Sequence, residues 1–117
     1  MNLRLSPDAV RVRLSRPELD LLLVTGEVSA STLLPPDREY TYRVVLDDDV
    51  PGLLLDTTEN GIRLRLPGTH ARELAARLPS REGIAVQQTD GRGETLELSL
   101  EVDLHGGRNK TSQQHNA

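Results

Sequence analysis

Apolar and polar residues alternate strictly in two short stretches of the chain, Val10-Arg11-Val12-Arg13-Leu14 and Ile62-Arg63-Leu64-Arg65-Leu66, which lie 52 residues apart. A period of two is the pattern of a strand with one face in a core and the other in water. Both stretches follow a shorter apolar segment and a turn. In the first copy these are Leu3-Arg4-Leu5 and Ser6-Pro7-Asp8; in the second they are Leu53-Leu54-Leu55 and Glu59-Asn60-Gly61. Each copy therefore predicts a hairpin, with Asn60-Gly61 the stronger turn signal because both residues tolerate positive φ.

A helix signal follows each hairpin. Ser15-Arg16-Pro17-Glu18 has capping-box spacing, Leu19, Leu22 and Leu23 share one helical face, and Gly26 stands where a left-handed residue ends a helix. In the second copy Ala71, Leu74, Ala75 and Leu78 form the stripe and Pro79 stops it. Two further extended segments follow each helix, Glu27 to Leu34 and Tyr40 to Asp47, then Gly83 to Gln88 and Glu94 to Leu104. The last alternates Leu96, Leu98, Leu100, Val102 and Leu104 with Glu97, Ser99, Glu101, Asp103 and His105.

The pattern thus predicts an α+β fold written twice, as two pseudo-repeats of strand-strand-helix-strand-strand over about 2–49 and 52–105. A half of about 50 residues buries too little apolar surface to stand alone, so both halves are expected in one domain spanning 1–105. The expected sheet is mostly antiparallel, curved or barrel-like, and covered by two helices. Residues 106–117 are polar and open with Gly106-Gly107, which predicts a disordered tail.

Composition narrows the function classes. The chain of 117 residues has no Phe, Trp or Cys and only two Tyr, with a formal charge of -4. Without aromatic platforms or a general basic field, nucleic-acid binding is not expected. Without cysteine there is no disulfide, thiolate metal site or thiol nucleophile, which fits a cytoplasmic location. No segment has the apolar length of a signal peptide or membrane helix, so no membrane partner is expected.

Candidate chemistry rests on a few clusters. Alternation places Arg11, Arg13, Arg63 and Arg65 opposite the core face, with Arg4 joining them across its hairpin. Their planar donor forks suit phosphate or carboxylate, making this a candidate anion-binding face. The ordinary reading is a wet sheet face whose arginines pair with Glu97, Glu101 and Asp103. Glu101, Asp103 and His105 share a strand face and are candidate metal ligands, although a rise of about 3.4 Å per residue spreads the outer two about 13 Å apart. Asp47-Asp48-Asp49 lacks the register of a calcium loop and reads as a solvated turn. His70, at the start of the second helix, has no Ser and Asp in a recognisable catalytic arrangement. No cofactor motif occurs. Tyr40 and Tyr42 read as core-packing rings with hydroxyls at the rim.

The blocks Val10 to Glu18, Thr41-Tyr42 and Gly61 to Pro67 resemble a family of small uncharacterised bacterial proteins of unknown function, over about residues 2–105. The resemblance implies no activity. It also implies a last strand closing on Glu-Lys-Asp-Phe and a cysteine. Glu101 and Asp103 match that ending, Val102 and Leu104 replace Lys and Phe, and the cysteine is missing. The duplicated halves and arginines invite comparison with triphosphate tunnel enzymes, but Leu3-Arg4-Leu5 stands where their alternating glutamates belong.

These readings leave the function unknown and favour a non-enzymatic protein that binds a protein partner or forms a homo-oligomer through its sheet edges. The alternative is binding or hydrolysis of a phosphorylated small molecule on the arginine face.

Overall fold

Two-residue turns in the first hairpin of each copy and a fully capped first helix set the local structure. The computed structural model describes residues 1–79 and 82–103, and every element expected from the pattern is present in it, in the expected order. The hairpin of β1 (Asn2–Ser6) and β2 (Ala9–Ser15) leads into α1 (Arg16–Thr25), and then β3 (Glu27–Leu34) pairs with β4 (Arg38–Leu46). The second copy runs through β5 (Leu54–Thr58), β6 (Gly61–Leu66), α2 (Gly68–Ala76), β7 (Ile84–Thr89) and β8 (Thr95–Asp103). The capping box of α1 is complete: Glu18 N–H donates to Ser15 Oγ at 3.2 Å and Ser15 N–H to Glu18 Oε1 at 2.8 Å. Gly26 ends the helix at φ 89°, a conformation that costs glycine little.

The sheet differs from the expectation. Instead of one mostly antiparallel, barrel-like sheet there are two open four-stranded sheets, which do not close into a barrel. Sheet A has the order β1-β2-β8-β7 and sheet B the order β3-β4-β6-β5. Each joins two antiparallel hairpins through a parallel central pair, β2 with β8 and β4 with β6. The hairpins of one half never pair with each other. Each helix carries the chain from one sheet to the other, so each half gives one hairpin to each sheet. Alternation shows which face of a strand is buried but says nothing about its neighbour or its direction, and so the pattern could not choose between these arrangements.

The two sheets are built alike. Val12 lies beside Leu100 in sheet A, and Leu64 beside Val44 in sheet B. In each, the turn of the first hairpin gives a carbonyl to the neighbouring parallel strand: Glu97 N–H donates to Asp8 O and Thr41 N–H to Asn60 O, both at 2.9 Å. Inner faces of both sheets and both helices share one core, centred on Leu14, Leu19, Leu22, Leu64, Leu66, Leu74, Leu98 and Leu100. With no large aromatic available, each fully buried leucine contributes about 1.5–3 kcal/mol. Tyr40 and Tyr42 pack at its margin with ring centroids 6.4 Å apart, and the Tyr42 hydroxyl shares a hydrogen bond with Thr32.

Two sequence signals have different physical causes from those expected. The turn of the second hairpin is Glu59-Asn60, and neither residue has positive φ. Gly61 is required instead because the backbone of Thr41 on the parallel strand occupies the space of a Cβ. The aspartates at the joint between halves are not merely solvated. Asp48 Oδ1 accepts from Gly68 N–H at 2.9 Å, serving an α2 N-terminus whose own Pro67 cap has no side-chain acceptor. Asp47 accepts from Asp49 N–H and from Arg65.

Candidate functional site: two unequal arginine faces

The four arginines singled out by alternation do not form one cluster. Arg11 and Arg13 point away from the core on sheet A; Arg63 and Arg65 do so on sheet B. Their surroundings differ because of one residue opposite each hairpin strand. In sheet B the partner of Arg63 is Asp56; in sheet A the partner of Arg11 is Arg4.

On sheet B the charges close on themselves. Arg63 donates twice to Asp56, from Nε to Oδ1 at 3.0 Å and from Nη2 to Oδ2 at 2.7 Å. Arg65 bridges the same carboxylate at 3.1 Å to Asp47 at 3.0 Å. Arg43, the direct neighbour of Arg63 on β4, donates to Glu27 at 2.8 Å. Arg43, Arg63, Arg65, Glu27 and Asp47, with Val45, Leu46 and Thr58, line an open hollow of about 450 Å³ in which three guanidiniums meet two carboxylates. The Arg63 hydrogen bonds hold the Asp56 carboxyl below the usual carboxylate range, against an opposing effect of burial. Asp47 is lowered too, first by the Asp49 N–H and then by Arg65. Asp56 in turn raises the Arg63 pKa. Every guanidinium here already has a carboxylate partner.

On sheet A the balance is different. Glu101 on β8 faces both Arg13, at 3.4 Å, and Arg11, at 3.8 Å, and both arginines stay more than 40% exposed. Arg4 has no carboxylate within ion-pairing distance among the described residues. Arg4, Arg11, Arg13 and Asn2 surround only a shallow dimple of about 10 Å³. Among the described residues, the one carboxylate near these three positive charges at the β1 edge reaches Arg11 and Arg13 but not Arg4, and Arg4 and Arg11 sit directly opposite each other. Like charges in that position repel.

The metal arrangement anticipated at Glu101, Asp103 and His105 lies only partly within the described residues. Glu101 is engaged by the two arginines, Asp103 stands at the end of β8 beside Ser15, and His105 lies outside the described residues, as does the expected tail over 106–117. Among the described residues no three His, Asp or Glu side chains gather as metal ligands. His70 borders a separate hollow of about 410 Å³ between α2 and β7, with Glu73 and Arg77 on the helix side.

The sheet edges are also unequal. Gln88 on β7 hydrogen-bonds the backbone of Leu55 on β5 twice, accepting from its N–H and donating to its C=O, each at 2.9 Å. The carboxamide stands in for a neighbouring peptide group and ties the β7 edge of sheet A to the β5 edge of sheet B. The matching residue on β3, Thr32, bonds Tyr42 instead, so β3 is not tied to β1 in this way. Beyond Thr41, β4 has no partner in β6, and the far end of the β3–β4 hairpin runs on as an arm. Leu33 and Leu34 on that arm are 71% and 45% exposed. Arg4 was legible through its hairpin; Asp56, Arg43 and Gln88 were not singled out, and Asp47 was read only as part of a solvated turn. The two-residue Glu59-Asn60 turn was the signal that sets Asp56 opposite Arg63.

The model of a family of unknown function, DUF7009, matches residues 1–117. No curated protein matches, and no solved structure does. Among the described residues no helix is long and apolar enough to cross a membrane.

Proposed function

The chain belongs to DUF7009, a family of unknown function, and we propose that it is a small protein-binding module that associates with a second copy of itself through the β3 edge. The observation that carries this reading is the β3–β4 arm, which leaves a strand edge untied and Leu33 and Leu34 in water. β3 is suited to pairing with its own copy. Its only charge is Glu27 at one end, its middle is Ser29-Ala30-Ser31, and its exposed leucines, Leu33 and Leu34, lie at the other end. A two-fold antiparallel pairing sets Glu27 of one copy near the Leu33-Leu34 end of the other, with no like charges opposed. One core drawing on both halves supports reading residues 1–105 as one domain, and the absence of cysteine supports a cytoplasmic location.

Sedimentation velocity over a range of concentrations tests this. The protein is expected to dimerise reversibly, and a Leu33→Lys, Leu34→Lys variant to remain monomeric with an unchanged far-UV spectrum. A wild-type protein that stays monomeric at the highest soluble concentration overturns the reading.

A further inference from the structure

We infer that the β1 edge of sheet A is a docking site for an extended acidic segment of a partner protein, which adds as a strand beside β1 and lays its carboxylates over Arg4, Arg11 and Arg13. This surface lies on the other sheet from the β3 contact and stands without it.

Three observations meet at this edge. Among the described residues β1 pairs on one side only, with β2, and four of its five residues are exposed. Its unpaired backbone groups are therefore a template for another strand. On the outer face, Arg4 and Arg11 are direct cross-strand partners and Arg13 lies diagonally beyond, with Glu101 the one carboxylate within ion-pairing reach among the described residues. On the inner face, Leu5 is 56% exposed at the end of β1. An incoming strand lies about 4.8 Å from β1, and its alternate side chains repeat every ~6.8 Å along it. Arginine side chains span that separation. The occupant that fits both faces alternates acidic with apolar residues, the acidic ones toward the arginines and an apolar one over Leu5.

Charge selects among occupants. A second copy pairing β1 with β1 about a two-fold would bring Arg4 toward its own twin, which like-charge repulsion opposes. A small phosphorylated molecule finds only the ~10 Å³ dimple to enclose it, far below the ~300 Å³ of an ordinary ligand pocket. A polypeptide gains backbone hydrogen bonds as well as ion pairs. Binding also relieves the Arg4–Arg11 repulsion, which the free protein offsets only at Arg11, through Glu101 at 3.8 Å.

Fluorescence anisotropy with a labelled peptide of about eight residues alternating Glu and Val provides the test, using the whole chain. Saturable binding is expected, weakening at least ~10-fold between about 0.05 and 0.5 M salt. It is expected to fall by a similar factor in Arg4→Glu, a variant that keeps its fold because it gains a carboxylate opposite Arg11. A Lys and Val peptide, and a Glu peptide with proline at alternate positions, are expected not to bind. No saturable binding, equal binding of the proline peptide, or undiminished binding to Arg4→Glu overturns the proposal. So does tripolyphosphate binding as tightly as the Glu and Val peptide and losing affinity in the same variant, since the site would then select phosphate rather than a strand. Sedimentation of the same samples follows the β3 contact separately, so failure at one edge is distinguishable from failure at the other.

Discussion

Arg11 and Arg63 occupy the same place in the two copies of the repeat, yet Arg63 faces Asp56 across its hairpin while Arg11 faces Arg4. The backbone is built the same way twice, and one side chain in the adjoining strand decides what each face does. With Asp56, sheet B folds its arginines into a closed network. With Arg4, sheet A keeps positive charge beside an open edge. Alternating arginines on a sheet are therefore not a site in themselves; their carboxylate complement determines whether they brace the fold or face a partner.

The largest effect expected from challenging this contrast is at the backbone. Gly61 and Ala9 are matching positions, each the first residue of its hairpin's second strand. Gly61→Ala drives a Cβ into the Thr41 backbone and is expected to cost about 2–3 kcal/mol by urea denaturation. Ala9→Gly should cost well under half of that. Equal costs would show that the parallel junctions of the two sheets are not packed differently.

Next in size is the carboxylate of sheet B. Asp56→Ala leaves Arg63 without its carboxylate beside Arg43 and Arg65 with Asp47 alone, and is expected to cost about 1 kcal/mol, a figure discounted for partial exposure of the pair. Glu101→Ala in sheet A, where both ion pairs are longer and more exposed, should change stability by less than about 0.5 kcal/mol. The same contrast appears in acid. Hydrogen bonds from Arg63 hold Asp56 below the ordinary carboxylate pKa in the folded state, so its contribution is complete above the ordinary value and is lost as pH falls through the folded one. Thermal unfolding of Asp56→Asn should accordingly show a shallower fall in stability over that acidic window than wild type.

The smallest expected effect has the opposite sign. Arg4→Asp transfers sheet B's pairing into sheet A and should stabilise by about 0.5 kcal/mol, while weakening the binding of an acidic strand as Arg4→Glu does.

Much of the molecule was legible before its structure. The capping box at Ser15, the stop at Gly26 and the alternations from Val10 and Ile62 are local signals, and each element they indicate is present. The division into two sheets was not legible, because an alternating strand records its buried face and not its neighbour. The same gap concealed the site. Arg11, Arg13, Arg63 and Arg65 are visible as a set, but only the pairing of hairpins between halves shows that they lie on different sheets. Asp56 and Arg4 were within reach, since a two-residue turn fixes hairpin register. Gln88 was not, because its bonds to Leu55 cross from one sheet to the other.

Double-mutant cycles read the difference between the faces most directly, comparing Asp56 with Arg63 and Arg4 with Arg11 by chemical denaturation at low salt. The coupling is expected to be favourable in sheet B and unfavourable in sheet A, with both shrinking as salt is raised. Couplings of the same sign, or none in either sheet, would contradict the division into a bracing face and a binding face.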